Sequence, residues 1–217
     1  ASAVGKADAP LLLVTPDVQT AARLSDEIRF FLAEESIDVL GFPDWETLPY
    51  DVFSPLPELV SQRLLTLHRL RNLQAGVVVV PVATLMQRLL PPSFLDAHSL
   101  LLEIGDDIDL DAFRQRLEQA GYQCVSQVVG HGEFAVRGSL IDLFPMGSEQ
   151  PFRIDLFDRE VDSIRLFDPE TQRTSAKTER TALLPASRIC AGLAAAAGQS
   201  TSADQASRLR GVVAASA

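Results

Sequence analysis

The sequence predicts an α/β protein in two parts: a domain built on a parallel sheet, then a smaller α+β domain with an antiparallel sheet. One observation is the alternation of apolar strand segments with amphipathic helical segments up to residue 90. A second is the change, after residue 100, to short strands separated by tight turns. A third is the 47% hydrophobic content of the 217 residues, which is enough for a real core in each part.

Three apolar segments predict the parallel sheet. Strands are expected at residues 11–14, 37–42 and 77–80. The last of them is a run of four valines with no polar face, which implies that it is covered on both sides. A long connection rich in proline and aromatic residues, Phe42 to Pro55, leads out of the second strand. This connection is expected to be either a packed loop or a contact surface.

The segments between these strands have helical periodicity. Thr15-Pro16-Asp17 predicts a helix start, with the threonine as cap and the proline in the first helical position. The residues of this helix expected to face the sheet are Val18, Ala21, Leu24, Ile28, Phe31 and Leu32. A long helix is expected over 56–73, and a short one over 85–90 that Pro91-Pro92 ends. Strands alternating with helices in this way are typical of a parallel sheet.

The second part begins with a strand at 99–104 and one amphipathic helix. Leu110, Phe113, Leu117 and Ala120 mark the buried side of this helix, and Gly121 is expected to end it. From residue 123 onward the sequence predicts antiparallel strands joined by tight turns. After residue 185 the composition changes to alanine, serine and glycine, which predicts a helical or partly disordered tail.

Two strands of the second part divide their side chains into an apolar set and an outward set, because successive side chains alternate across a strand. In the segment 152–157 the apolar set is Phe152, Ile154 and Leu156, and the outward set is Arg153, Asp155 and Phe157. In the segment 133–137 Phe134 and Val136 oppose Glu133, Ala135 and Arg137. Arginine and aromatic side chains are enriched at the centres of protein interfaces. The pattern therefore predicts a protein-binding face, with an ordinary solvated surface as the alternative.

The chemistry of a catalytic or cofactor site is missing from the sequence. Gly5-Lys6 lacks the upstream glycine of a phosphate-binding loop and is followed by Ala7, so no nucleotide cofactor is expected. Asp107, Asp109, Asp111 and Glu118 match four positions of a calcium loop. Ala112 replaces the required glycine, which favours helix capping by Asp109 over a calcium site. No metal, cofactor or catalytic residue is predicted.

The charge and the cysteine content of the chain further restrict the class of protein to which it can belong. A formal charge of −10 disfavours a domain whose main task is to bind a phosphate backbone. The two cysteines, Cys124 and Cys190, are far apart and predict neither a disulfide framework nor a zinc site. The sequence shows no membrane span and no signal peptide, so a cytoplasmic location is expected.

Three motifs in order carry a resemblance to a known family. They are Asp44-Trp45-Glu46-Thr47-Leu48-Pro49-Tyr50-Asp51, Pro81-Val82-Ala83-Thr84-Leu85-Met86-Gln87-Arg88, and the strand region from His131. Together they resemble the amino-terminal, UvrB-like part of bacterial transcription-repair coupling factors, over residues 8–186.

The resemblance implies a domain organisation and a function. Residues 1–99 would form a degenerate RecA-like helicase domain, 100–185 a UvrA-binding α+β domain, and 186–217 a partial remainder of the first domain. The full-length factors are ATP-dependent translocases that act on double-stranded DNA and stalled RNA polymerase. This chain has no phosphate-binding loop, so we expect a non-catalytic recruitment module that brings UvrA, and with it nucleotide excision repair, to the lesion.

The resemblance also implies roles for the outward residues. In the family, UvrA contacts involve an arginine before a glycine, an arginine at the start of an Arg-hydrophobic-Asp strand and a later aromatic residue. Here these are Arg137, Arg153 and Phe157, and Asp155 is expected to receive a basic group of UvrA. Two alternatives stay open: a UvrB-like remnant helicase that binds ATP or DNA, and a structural module that packs against the translocase motors.

Overall fold

The computed structural model describes residues 9–33, 37–45, 55–87 and 89–186. The expected tail at 186–217 therefore lies outside the described residues except for Ala186, as does most of the connection at 42–55. The described residues form two compact units with a boundary between Leu89 and Leu90. The mixed α/β class, with parallel pairing in the first unit and mainly antiparallel pairing in the second, is confirmed.

The first unit is built on a three-stranded parallel sheet. Its elements in chain order are β1 (Leu11–Thr15), α1 (Val18–Phe31), β2 (Asp38–Gly41), α2 (Pro57–Leu70), β3 (Gly76–Pro81) and α3 (Val82–Leu85). The strand order is β1-β3-β2, and Val77 pairs with both Leu11 and Val39. β3 is buried along its whole length, as its four valines predict for a central strand.

Helix α1 differs from its prediction at the cap and along one side. The cap is Asp17, whose Oδ1 accepts from the Thr20 backbone N–H at 2.7 Å, so the expected threonine cap is wrong. Thr15 instead donates its hydroxyl to the Asp17 carbonyl at 3.0 Å. Phe31 and Val18 are exposed, at 71% and 37%, because the stripe that packs on the sheet is narrower than expected. Its packing residues are Ala21, Ile28 and Leu32.

The expected helix at 85–90 is also wrong. Helix α3 ends at Leu85, and Pro92 begins a new helix, α4 (Pro92–His98), in the second unit. Proline is suited to this position, because the first turn of a helix needs no backbone donor. The two prolines therefore mark the start of one helix rather than the end of another.

An arginine of α2 holds the start of the proline-rich connection after β2. Arg63 is buried, and its guanidinium lies 4.2 Å from the ring centre of Phe42 and 4.0 Å from that of Trp45. The same group donates to the Pro43 carbonyl at 2.5 Å. Cation–π contacts on two aromatic residues make Phe42–Trp45 a packed part of the first unit. Residues 46–54 of the connection lie outside the described part.

The second unit contains a six-stranded sheet, one longer helix and a separate strand pair. After α4 its elements are β4 (Leu100–Glu103), α5 (Leu110–Gln119), β5 (Gln123–Cys124), β6 (Glu133–Arg137), β7 (Leu140–Phe144), β8 (Phe152–Phe157), β9 (Glu160–Phe167), β10 (Thr174–Thr178) and β11 (Arg180–Leu183). The sheet order is β10-β9-β8-β7-β6-β5, and β4 pairs with β11. Strands β6 to β10 are antiparallel as expected, whereas the short β5 runs parallel to β6.

Helix α5 is capped as the sequence predicts. Ala112 donates its backbone N–H to Asp109 Oδ1 at 3.0 Å, which confirms the capping role. Gly121 follows the helix with a φ of +95°, a conformation that favours glycine. Phe113 and Leu117 are buried and fix the helix on its unit. No helix in the described part of the chain is long and apolar enough to cross a membrane.

One side of the six-stranded sheet is the main core of the second unit. Its fully buried side chains include Phe134, Ile141, Leu143, Ile154 and Ile164. The buried Tyr122 links two other segments of this unit through its hydroxyl. The hydroxyl donates to the Leu184 carbonyl at 2.5 Å and accepts from the Met146 backbone N–H at 3.3 Å. Burial raises the pKa of Tyr122 well above its ordinary value, so the hydroxyl stays protonated.

The core predicts a contrast between two isoleucines of the second unit. Ile154→Ala removes a fully buried side chain and should lower the free energy of unfolding by about 2–5 kcal/mol. Ile104→Ala changes a half-exposed side chain and should cost less than about 1 kcal/mol. Urea denaturation followed by circular dichroism measures both. Equal costs would contradict the assignment of the core side of the sheet.

Candidate partner-binding face

The second side of the six-stranded sheet carries the residues expected to bind a partner. Phe152, Ile154 and Leu156 are buried in the core, and Arg153, Asp155 and Phe157 lie on the opposite side, as the alternation predicts. Ala135 departs from the expected outward set, because it is covered by a small second core of Val128, Phe144 and Phe167. The part of this side around Ala135 is therefore covered by other side chains, and the remaining part is open to solvent.

A buried aspartate that the sequence analysis missed organises the open part. Asp142 on β7 lies opposite Ala135 on one neighbouring strand and Arg153 on the other. Its side chain is 0% exposed. Arg153 donates to it with two groups, Nε to Oδ1 at 2.6 Å and Nη2 to Oδ2 at 2.9 Å. Arg137 donates its Nη2 to the same Oδ2. One carboxylate thus holds two guanidinium groups.

We call Arg137, Asp142, Arg153, Asp155 and Phe157 the arginine face. Paired N–H···O bonds from arginine to a carboxylate are strong and directional, since both partners are charged and the geometry is planar. The hydrogen bonds from Arg153 to Asp142 raise the pKa of Arg153, which keeps the guanidinium charged. The carboxylate also offsets the repulsion between the two arginines, which would otherwise separate.

Arg153 is held more firmly than Arg137. Its guanidinium carbon lies 4.8 Å from the ring centre of Phe167, and its Nη1 donates to the Gln172 carbonyl at 3.3 Å. The side chain of Arg153 is 20% exposed, whereas that of Arg137 is 49% exposed. Arg153 therefore presents a fixed edge of its guanidinium, and Arg137 retains unused donors toward solvent.

Phe157 projects from a hairpin whose tip is anchored. It is the last residue of β8 and is 78% exposed. Asp158 has a φ of +59°, as a tight two-residue hairpin requires. The Ile108 backbone N–H donates to the Arg159 carbonyl at 2.7 Å, and Arg159 Nη2 lies 2.9 Å from Asp107 Oδ1. The aromatic ring is thus presented on a tip that is fixed from a second segment.

Asp155 is half-buried between Leu140 and Ser163 on the neighbouring strands. It forms no ion pair and no side-chain hydrogen bond with any other residue in the described ranges. Its carboxylate is available to a basic group of a partner. The face thus offers two ordered cations, one free anion and one aromatic ring, which suits it to binding a protein surface.

A change at Asp142 tests whether it holds the face together. Asp142→Asn keeps the shape but removes the charge that neutralises two arginines, and should lower the free energy of unfolding by about 1–3 kcal/mol. Asp162→Asn, at an exposed carboxylate of β9, is the matched control and should change it by less than about 0.5 kcal/mol. Chemical denaturation measures both; a neutral Asp142→Asn would contradict the organising role.

Comparison with known proteins places this face within a family domain. Residues 100–188, which include the whole arginine face, match the model of the UvrB interaction domain. The chain is 52% identical over 177 residues to the transcription-repair-coupling factor of Escherichia coli K12, covering 82% of this chain. The Haemophilus influenzae and Bacillus subtilis factors are 53% and 38% identical, over 81% and 76% of it.

These alignments extend across both units of the chain. The chain spans only 15% of the length of the first two relatives and 14% of the third. With identities of 38–53% over most of its length, the chain is homologous to a segment of the transcription-repair-coupling factors.

Proposed function

We propose that this chain is a non-catalytic recruitment module that binds UvrA through Arg137, Arg153, Asp155 and Phe157. The observation that carries the proposal is the charged pair of arginines held on buried Asp142, beside an aromatic ring that is 78% exposed on an anchored hairpin. The match of residues 100–188 to the UvrB interaction domain supports the choice of partner. The module would bring nucleotide excision repair to lesions where RNA polymerase has stalled.

The remaining parts of the assignment follow the family. Residues 1–99 would be a degenerate RecA-like domain, residues 100–185 the UvrA-binding domain, and 186–217 a remainder of the first domain. Contacts to RNA polymerase and double-stranded DNA, and the ATP-driven translocation, would belong to other parts of the full-length factor. A module with these partners would work in the cytoplasm.

The structure of the face favours binding with little reorganisation. A free arginine loses considerable rotamer freedom when it is immobilised at an interface. Here Asp142, Phe167 and Gln172 already hold Arg153, and the hairpin fixes Phe157. These side chains therefore lose much of their conformational entropy already during folding. Less entropy is lost on binding, so more of the contact energy contributes to affinity.

Removal of the two central side chains tests the proposal. Arg153→Ala and Phe157→Ala should each weaken UvrA binding by about 1–4 kcal/mol, and the double change should abolish measurable binding. Calorimetric titration of the chain with UvrA gives the affinities, and circular dichroism confirms that the fold is retained.

A control matched in residue type separates the face from general surface effects. Arg116→Ala and Phe31→Ala, combined, remove an exposed arginine of α5 and an exposed phenylalanine of α1. This variant should bind UvrA as the unchanged chain does. If the control lost affinity as strongly as Arg153→Ala with Phe157→Ala, the assignment of the face would be wrong.

A further inference from the structure

A row of basic side chains continues from the arginine face toward the edge of the sheet. Directly opposite Arg153 on β9 is Arg165, and opposite Arg165 on β10 is Lys177. Residues that pair across antiparallel strands share a side of the sheet. Three cations therefore lie on neighbouring strands, on the same side as the arginine face. Strand spacing gives the row a length of about 10 Å.

The two cations of the row that are nearer the edge of the sheet, Arg165 and Lys177, are not neutralised by an acidic side chain of the described residues. Arg153 is bound to Asp142, but neither Arg165 nor Lys177 forms an ion pair within the described ranges. The Nε of Arg165 is buried without a hydrogen-bond partner. Asp155, an acidic residue on the same side of the sheet, lies opposite Ser163 and makes no ion pair with either cation.

This arrangement is unfavourable for the isolated unit. Like charges directly opposite each other on neighbouring strands destabilise a sheet, and a buried donor without an acceptor costs further free energy. The chain as a whole carries a formal charge of −10, so two adjacent cations without an ion pair, Arg165 and Lys177, are unusual for its composition. A negatively charged group supplied from outside the sheet would relieve the repulsion between the cations.

We infer that the UvrA-binding surface extends through Arg165 and Lys177, and that an acidic segment of UvrA lies along this row. This inference rests on the proposed function. Two or three carboxylates on one side of an extended or helical segment match the length of the row. They would pair with the guanidinium of the partly exposed Arg165 and with the exposed Lys177 at the edge strand.

Charge reversal tests the inference. The double variant Arg165→Glu with Lys177→Glu should bind UvrA at least about tenfold more weakly than the unchanged chain, because acidic groups would then face acidic groups. The salt dependence of its affinity should also be shallower, since fewer opposite charges meet. Arg69→Glu with Arg116→Glu makes the same change in net charge at exposed helix positions and should leave affinity nearly unchanged.

The outcomes separate this inference from the proposed function. If the unchanged chain does not bind UvrA, both are wrong. If Arg153→Ala with Phe157→Ala abolishes binding but the reversed row binds normally, only the extension is wrong. If the double variant is unstable, Lys177→Glu alone, at an exposed position of the edge strand, tests whether the row contributes to UvrA binding. Binding of duplex DNA that the reversed row abolishes, with UvrA affinity unchanged, would assign the row to nucleic acid and overturn the inference.

Discussion

The shared carboxylate of Asp142 is the interaction on which the arginine face depends. A fully buried carboxylate is costly unless charged donors surround it, and Arg137 and Arg153 supply them. The dependence is mutual, since two guanidinium groups this close would repel each other without the carboxylate between them. A single side chain therefore sets both the position and the mutual distance of the two arginines.

The sheet makes this interaction possible through its register. Asp142 meets Arg153 only because β7 and β8 pair with Ile141 opposite Ile154, two fully buried isoleucines. A slip by one residue would bring apolar side chains to the outer side and Asp142 into the core, so the core holds the register firmly. Residues 145–151 join β7 to β8, and tight turns at 138–139 and 158–159 join the neighbouring pairs, so these pairings are local in sequence. The stability of the main core and the geometry of the outer face are thus set together.

Sequence patterns predicted those features that depend on local alternation or composition. The four valines of β3 indicated a central strand, and the alternation in 152–157 identified Arg153, Asp155 and Phe157 as outward. Features that depend on tertiary context were missed. Phe31 has the spacing of a buried residue, yet the stripe that packs on the sheet excludes it. The Pro91-Pro92 pair predicts the end of a helix but lies at the start of one, because a proline pair alone does not distinguish the two.

Asp142 was missed for a different reason, because its role depends on three strands at once. The signal was present in part: an acid in the middle of Leu140–Phe144, between segments that each carry an outward arginine. Only the pairing of β6, β7 and β8 brings those three side chains to one point. A charged residue within an otherwise apolar strand is therefore worth testing against the outward charges of its neighbouring strands.

A double-mutant cycle on UvrA binding tests the central claim most directly. The affinities of the unchanged chain, Asp142→Asn, Arg153→Ala and the combined variant would be measured by calorimetry. If Asp142 acts by positioning the arginines, Asp142→Asn should weaken binding more in the unchanged chain than in the Arg153→Ala variant, where only its contact with Arg137 remains. Strictly additive losses, or an Asp142→Asn variant that binds as well as the unchanged chain, would contradict the account.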